Sequence, residues 1–399
     1  MTESTGPDVE QEALRAARVL LADGDFAGAL RVLDRAAERD ADGRPGRPTA
    51  MTMRAFALER LGNRAAAVAA VLRAHPGDRD ASLLFVRLLG SDRPEFGPVI
   101  DAARRGLVVN PDCAPLWHAL ATMPPADARD GGHDAPAALL RARAAAPADP
   151  RIRRALSASL AERSTQARFA GNLARAVDLA GRAIEADPSL EGAWAARMFA
   201  NLCREDLTPE DAYAEALAAG RAIVRNAPAP RHASRPGTAG PVSLGILAAT
   251  LDVSSVWHFL VPLLDRHDPA AVAITLYDDA PHALRLDRAR VRTVALAGLD
   301  PAAVAGRVAA AGHDAVLDVM GYGQYGSRLG VLAARPAPVA LTGIGYPGTL
   351  GLDAVGYKLG DRLIHPEGGP ERLHERPLRL PYMLCYRPPA HAPAGDSTA

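Results

Sequence analysis

The chain has 399 residues, long enough for two or three domains, each able to bury its own core. Lys plus Arg equals Asp plus Glu, 46 each, so the formal charge is zero. No general attraction to nucleic acid or to an anionic membrane follows from that balance. Arg heavily outnumbers Lys and Ala is abundant, which points to a GC-rich genome rather than to a function.

Cys113, Cys203 and Cys385 are far apart and form no CxxC pair, so neither a zinc site nor a disulfide framework is expected. The first residues, MTESTGPDVEQEA, are polar and acidic, without the apolar core of a signal peptide. No apolar run reaches the ~18–20 residues that a membrane span needs. A reduced, cytoplasmic setting is the expectation.

Residues 1–8 read as a disordered N-terminus, and residues 9–226 as helical repeats rich in Ala and Leu. Gly24-Asp25, Gly62-Asn63 and Gly171-Asn172 each read as a helix end followed directly by the next helix start. In the other phase, Asn110-Pro111, Asp149-Pro150 and Asp187-Pro188 lie 39 and 38 residues apart, and Gly24 to Gly62 is also 38. Trp117 and Trp194 each follow a proline by six positions and are expected to pack in the core. Helix–turn–helix units closed by Asx-Pro are tetratricopeptide-like, stretched beyond the usual period of about 34. Such units must stack to bury their apolar faces, here as roughly five pairs in a right-handed solenoid. An ordinary helical bundle is the alternative. A solenoid of this kind suggests a protein or peptide partner. Residues 127–134, DARDGGHD, read as a loop, and His133 there as no metal ligand.

Ala227–Pro241 is rich in Pro, Ala and Gly and reads as a linker, with His232 solvated. Beyond it the pattern changes. Strands are expected at Val242–Leu247, Val272–Tyr277, Val291–Leu296, Ala315–Val319 and Val339–Ile344. Helices are expected between them at Val253–Arg266, Pro301–Ala311 and Gly326–Ala334, with Asp300-Pro301 as N-cap and first turn. Alternation of this kind gives a Rossmann-like parallel sheet with helices on both faces and ligands beyond the carboxyl ends of the strands. Residues 242–387 make this lobe and 388–399 a disordered tail. Arg285, Arg288, Arg290 and Arg292 read as a solvated helix face, with phosphate binding the alternative.

One stretch stands out, Ala333–Asp361, AARPAPVALTGIGYPGTLGLDAVGYKLGD. Gly343, Gly345 and Gly348 spell G-x-G-x-x-G, yet Pro347, Gly351, Gly356 and Gly360 leave no room for the helix that a dinucleotide fingerprint must open. The run also follows the last clear strand rather than the first.

The motifs RPAPV at Arg335–Val339 and GYPGT at Gly345–Thr349, followed by Tyr357 and Asp361, resemble the O-GlcNAc transferase/SPINDLY family of protein glycosyltransferases. The likeness extends from Val242 to about Pro388. Asp318, Gly321 and Tyr322 agree with the family's strand-end segment, and Pro366, Glu375 and Leu380-Pro381 continue the agreement. Gly356 departs from it, standing where the family has Asp. Two further departures lie in the first loop, where Thr250 and Ser254 stand at the family's acidic and histidine positions.

The resemblance implies transfer of a sugar from a nucleotide-sugar donor to Ser/Thr hydroxyls. UDP-GlcNAc would be a substrate, with no cofactor, no metal, no nucleic acid and no membrane involved. It leaves His258, on the following helix, with Asp318 and Tyr322 as catalytic candidates. Gly321, Gly343, Gly345, Tyr346, Pro347, Gly348 and Thr349 would line the cleft. Asp318 equally reads as a cap on a strand end, and Tyr346 as packing. The family's fold is the two-lobed GT-B type, with the donor held mainly by a C-terminal lobe of ~150–200 residues. Only the N-terminal lobe is legible here. The sequence therefore also fits half of a split enzyme whose C-terminal lobe is separately encoded, a chain that stops early, or a non-catalytic adaptor.

Overall fold

The computed structural model describes residues 6–38, 48–63, 66–67, 107, 111–122, 135–229, 240–281, 284, 286–323 and 326–383. Residues 1–5, the 127–134 loop with His133, Asn110, His232, Arg285, Cys385 and the 388–399 tail lie outside the described residues, as does 230–239 of the linker.

Among the described residues the repeats supply nine helices. They are α1 (Gly6–Ala22), α2 (Phe26–Glu38), α3 (Pro48–Arg60), α4 (Ala114–Thr122), α5 (Ala135–Ala145), α6 (Pro150–Phe169), α7 (Leu173–Ala186), α8 (Glu191–Asn201) and α9 (Pro209–Asn226). The first begins ahead of Val9 and takes in residues 6–8.

Gly24, Gly62 and Gly171 end their helices in the left-handed region, at φ +81°, +80° and +76°, where glycine alone pays no steric penalty. The next residue then caps the following helix: Asp25 accepts from Gly28 N at 2.8 Å, Asn63 from Ala66 N at 3.3 Å and Asn172 from Arg175 N at 3.1 Å. The tryptophans repeat a second device. Trp117 Nε1 donates to Pro111 O at 2.6 Å and Trp194 Nε1 to Pro188 O at 3.0 Å, which explains the shared spacing of six.

The lobe carries β1 (Val242–Leu247), α10 (Val256–Arg266), β2 (Val272–Asp278), β3 (Val291–Ala295), α11 (Pro301–Ala311), β4 (Ala315–Asp318), α12 (Leu329–Ala333), β5 (Val339–Thr342), β6 (Tyr357–Asp361) and β7 (Arg376–Leu380). A short 3-10 turn, Leu251–Val253, takes the place of the expected first turn of α10, and α12 is shorter than the Gly326–Ala334 expected. Asp300 caps α11 as expected, accepting from Ala303 N at 2.7 Å.

All seven strands are parallel, in the order β3-β2-β1-β4-β5-β6-β7. The sequence reading had β5 as the last strand, and the structure corrects this. β6 contains Lys and Gly, while β7, RPLRL, contains Pro and two Arg and is exposed throughout. An edge strand such as β7 tolerates Pro and charge, while β6 is interior and buries its lysine; both features hide the strand pattern from sequence. The dinucleotide reading fails on firmer ground, since no helix follows Gly348 before β6.

The chain divides into two compact units, Met1–Leu156 and Ser157–Ala399. In the second unit, one face of the sheet presents Leu247, Tyr277, Val316 and Ala340 to α11 and α12. Ala195 and Met198 of α8, and Ala216, Ala219 and Ile223 of α9, join that same core. The opposite face packs Ile246, Leu276 and Leu317 against Leu260 and Leu264 of α10. The last repeats are therefore part of the lobe's core.

Candidate functional site

The chain runs outward from β1 to β3 and then returns to β4 on the other side of β1, so the strand order reverses between β1 and β4. Open parallel sheets take ligands at such a switch point, beyond the carboxyl ends of the strands. The loops there are 248–255, 319–328 and 343–356.

Asp318 closes β4. Its carboxylate is wholly buried and accepts from Gly321 N at 2.8 Å, Met320 N at 3.2 Å and Thr342 Oγ1 at 2.9 Å. Burial pushes its pKa up to about 6, against the lowering effect of these bonds and of Lys358. Tyr322 is also wholly buried, its hydroxyl donating to Leu350 O at 2.8 Å. Burial holds that hydroxyl's pKa well above the ordinary range. Tyr346 stands edge-on to both Tyr322, at 5.3 Å, and Phe199 of α8, at 5.6 Å.

The glycines of the 343–351 loop answer to packing. Gly345 N donates to Val319 O at 3.1 Å, and a Cβ at Gly345 would lie 2.4 Å from that oxygen. A Cβ at Gly321 would lie 2.5 Å from that of Tyr346, and one at Gly343 2.9 Å from that of Leu359. Ile344 sits at φ +71°, strain that a β-branched residue adopts only when its surroundings impose it.

Two buried charges hold the loop from behind. Lys358 Nζ donates to Tyr346 O and Gly348 O, both at 2.6 Å, and lies over the Tyr346 ring. Burial lowers its pKa to about 8. Glu375 accepts from Thr349 Oγ1 at 2.7 Å and from Leu350 N at 2.8 Å.

The first loop is anchored differently. Thr250 is left-handed at φ +40°, and Leu251 N donates to the buried Asp278 at 3.0 Å. Ser254 is buried, and its Oγ accepts from Val256 N at 3.2 Å at the start of α10. His258 is half-buried in the first turn of α10, on the helix that covers the opposite sheet face from Tyr322 and Tyr346.

A cleft of about 450 Å³ opens between α6, α8 and the loop after β4. Its walls include Glu162, Thr165 and Arg168 of α6, Phe199 of α8, and Gly326 and Ser327 of the loop. Glu191, at the start of α8, joins repeat to lobe here. Its carboxylate accepts from Ser327 Oγ, from Leu329 N at 2.8 Å and from Gly330 N at 3.1 Å. Since Arg328 gives α12 no side-chain cap, Glu191 caps that helix from another element. Closer still, a Cβ at Gly220 of α9 would fall 1.8 Å from Gly351 O.

The structure thus gathers Asp318, Gly321, Tyr322, Gly343, Gly345, Tyr346 and Thr349 into one packed cluster. Pro347 is exposed and Gly348 half-buried at its surface. His258 stands apart from the cluster. Sequence reasoning missed Lys358, Glu191, Arg168 and Phe199. For Lys358 a signal existed: it is the sole lysine among 399 residues. The described arginines of the cluster lie on no helix face: Arg288 and Arg290 sit in the turn before β3, held by Thr293 Oγ1 and Pro281 O and by His267 O, and Arg292 lies within β3. Among the described residues no three His, Cys, Asp or Glu side chains converge as a metal site, and no helix is long and apolar enough to cross a membrane.

No protein-family model matches the chain. In fold it is similar to a Thermobaculum terrenum O-GlcNAc transferase mutant, at TM-score 0.52 and 20% identity, over 99% of this chain and 61% of that one. Tetratricopeptide-like repeats followed by a parallel α/β lobe are therefore the architecture. In sequence it is 30% identical over 161 residues to a probable UDP-N-acetylglucosamine–peptide N-acetylglucosaminyltransferase SPINDLY of Arabidopsis thaliana, covering 38% of this chain and 18% of that one. It is 29% identical over 161 residues to the SPINDLY protein of Solanum lycopersicum, covering 38% and 17%. The chain resembles the SPINDLY O-GlcNAc transferases and spans less than a fifth of the length of these curated relatives.

Proposed function

We propose that this chain is the acceptor-binding part of a protein O-glycosyltransferase of the O-GlcNAc transferase type. The repeats hold a segment of another protein, and the crevice beyond β1 and β4 receives its Ser or Thr hydroxyl. The acceptor oxygen bonds to the anomeric carbon of the sugar as the bond from that carbon to the diphosphate breaks. The nucleotide leaves with the electron pair, and the hydroxyl proton passes to a base. A base must come within hydrogen-bond reach of that proton, and His258 is the candidate in the first turn of α10. The buried Asp318, Tyr322, Lys358 and Glu375 position the loops. UDP-GlcNAc is the donor that the relatives' names suggest. In this reading the lobe is one half of a GT-B pair, and a further lobe, in cis or separately encoded, completes the donor site.

The observation that supports the proposal is the cleft where α6 and α8 of the repeats meet the loop after β4, at the switch point of the sheet. A calorimetric titration of the 399-residue chain with UDP and UDP-GlcNAc tests it. Binding tighter than ~100 μM, about −5.5 kcal/mol, supports a donor site in this lobe or across a dimer. Donor-dependent labelling of an acceptor protein would extend it to turnover.

A second reading is a protein-binding adaptor without turnover. It is favoured by Ser254, which stands at the family's histidine position and is buried, its Oγ accepting from Val256 N at 3.2 Å. Protein binding to the repeats with no donor-dependent labelling of the bound protein, even when a C-terminal donor-binding lobe is supplied, supports this reading instead.

A further inference from the structure

The sheet ends on β3 at one side and on β7 at the other, and each edge turns a row of backbone groups outward. In a parallel ladder, alternate residues of a strand offer their N–H and C=O to the neighbour, and the residues between them face away. Arg376 N donates to Gly356 O at 3.0 Å, so Arg376, Leu378 and Leu380 face β6. Pro377 and Arg379 therefore face out, as does Pro381 where the alternation runs one residue past the strand. Proline has no N–H, so Arg379 alone keeps a donor on that side. At the other edge Leu296 N donates to Asp278 O at 2.9 Å, which leaves Val291, Thr293 and Ala295 facing out. Local partners take up groups there. Val291 N donates to Asp287 O at 3.1 Å, and Ala295 O accepts from Arg307 Nη1 of α11 at 3.2 Å.

β7 has no such local cover and is exposed throughout. An open edge is a template for another strand, and two copies of one chain pair about a two-fold axis, antiparallel. Centred on Arg379, that pairing sets Arg379 against its copy, Pro377 against Pro381, and Leu378 against Leu380. Leu378 and Leu380 are 41% and 40% exposed, so the contact would bury apolar surface. Each hydrogen-bonded pair exchanges two bonds, so the three outward pairs would carry six. The prolines delete four of these and leave the two of the Arg379 pair. That pair in turn places like charges directly opposite, which is destabilising. We infer that Pro377 and Pro381 guard this edge, and that they keep the chain from associating with a second copy strand to strand through β7.

Sedimentation velocity of the full-length chain, with Pro377→Thr and Pro381→Thr singly and together, tests this. Threonine suits a strand and restores the donor. The double variant is expected to dimerise about a hundredfold more tightly than the native chain, as four bonds of modest net worth allow. Each single variant restores two bonds and should fall between. Hydrogen exchange maps the contact: in the double variant, the amides at positions 377, 379 and 381 should slow as concentration rises. In the native chain the Arg379 amide should exchange at a rate independent of concentration, a measurement that needs no variant. Circular dichroism verifies that each variant is folded. A folded double variant no more associated than the native chain overturns the proposal. So does association without slower exchange at those three amides, or concentration-dependent protection of Arg379 in the native chain.

Discussion

Replacing Gly220 by alanine isolates the joint between α9 and the 343–351 loop. In a helix interior alanine is favoured over glycine by about 1 kcal/mol, so propensity alone predicts a more stable protein. The structure reverses the sign. The new Cβ would sit 1.8 Å from the carbonyl oxygen of Gly351 and 2.6 Å from its carbon. That obstacle is backbone, and Gly351 is itself pinned, since its own Cβ direction points 2.3 Å from Ala216 O. Overpacking costs about 1–3 kcal/mol, and against backbone on both sides the upper figure, ~3 kcal/mol, applies before the propensity gain of about 1 kcal/mol is subtracted. A net loss of about 2 kcal/mol is expected, or roughly 4–8 °C in Tm for a unit of this size. Gly181→Ala is the control: Gly181 lies within α7 with nothing near its missing Cβ, and alanine there should stabilise by up to about 1 kcal/mol. Lys358 supplies a second readout. As the sole lysine, and 1% exposed, it meets an acylating reagent only through opened forms. A loss of ~2 kcal/mol should speed its labelling about thirtyfold, with peptide mapping to separate it from the N-terminal amine. If Gly220→Ala matches or exceeds the native chain in stability and leaves Lys358 labelling unchanged, the account of this joint is wrong.

Glu191→Ala should cost about 1–2 kcal/mol by removing the cap of α12. Faster hydrogen exchange at the Leu329 and Gly330 amides is the signature, and unchanged rates there would refute the capping role. Lys358 has a folded pKa near 8 against 10.5 when free, so between those values the unfolded chain binds more protons. The native chain should therefore gain stability relative to Lys358→Met as pH rises from 8 to 10.5, by up to ~3 kcal/mol. A flat difference in urea melts across that window would contradict the burial of a charged ammonium. Asp318 runs the other way, with a folded pKa of about 6 against 3.8. Its protonation favours the fold below pH 3.8, and that advantage is lost as pH rises through 6. Relative to Asp318→Asn, the native chain should thus lose about 3 kcal/mol across the window, measured in the same melts.

Local signals carried much of the fold. A left-handed glycine beside an Asx cap is a two-residue device, so Gly24-Asp25 and Gly171-Asn172 could be read without any long-range information. The strands of the sheet centre were equally legible, because burial on both faces turns VSLGIL or VAITLYD into nearly unbroken apolar runs. β6 and β7 were not: β7 is an edge strand, exposed throughout, and β6, though interior, buries a lysine and a glycine that break the apolar run. At the site, the motifs located the cluster but not its exposure. Whether Asp318 or Tyr322 faces solvent depends on Thr342 and Leu350, 24 and 28 residues away, and no spacing rule links them. Glu191 was illegible for the same reason, its partners lying more than a hundred residues downstream.

The repeat helices α8 and α9 share a core with the sheet, and Glu191 and Gly220 are fitted to loops of the lobe. This has a consequence for how such proteins diversify. An array of repeats can be lengthened, shortened or exchanged by recombination only at a seam that leaves those fitted surfaces with their own lobe. Here that seam falls near Ser157, within α6. Downstream, a change in a repeat helix is at once a change in the loops around the crevice, so the last two helix pairs must evolve together with the lobe.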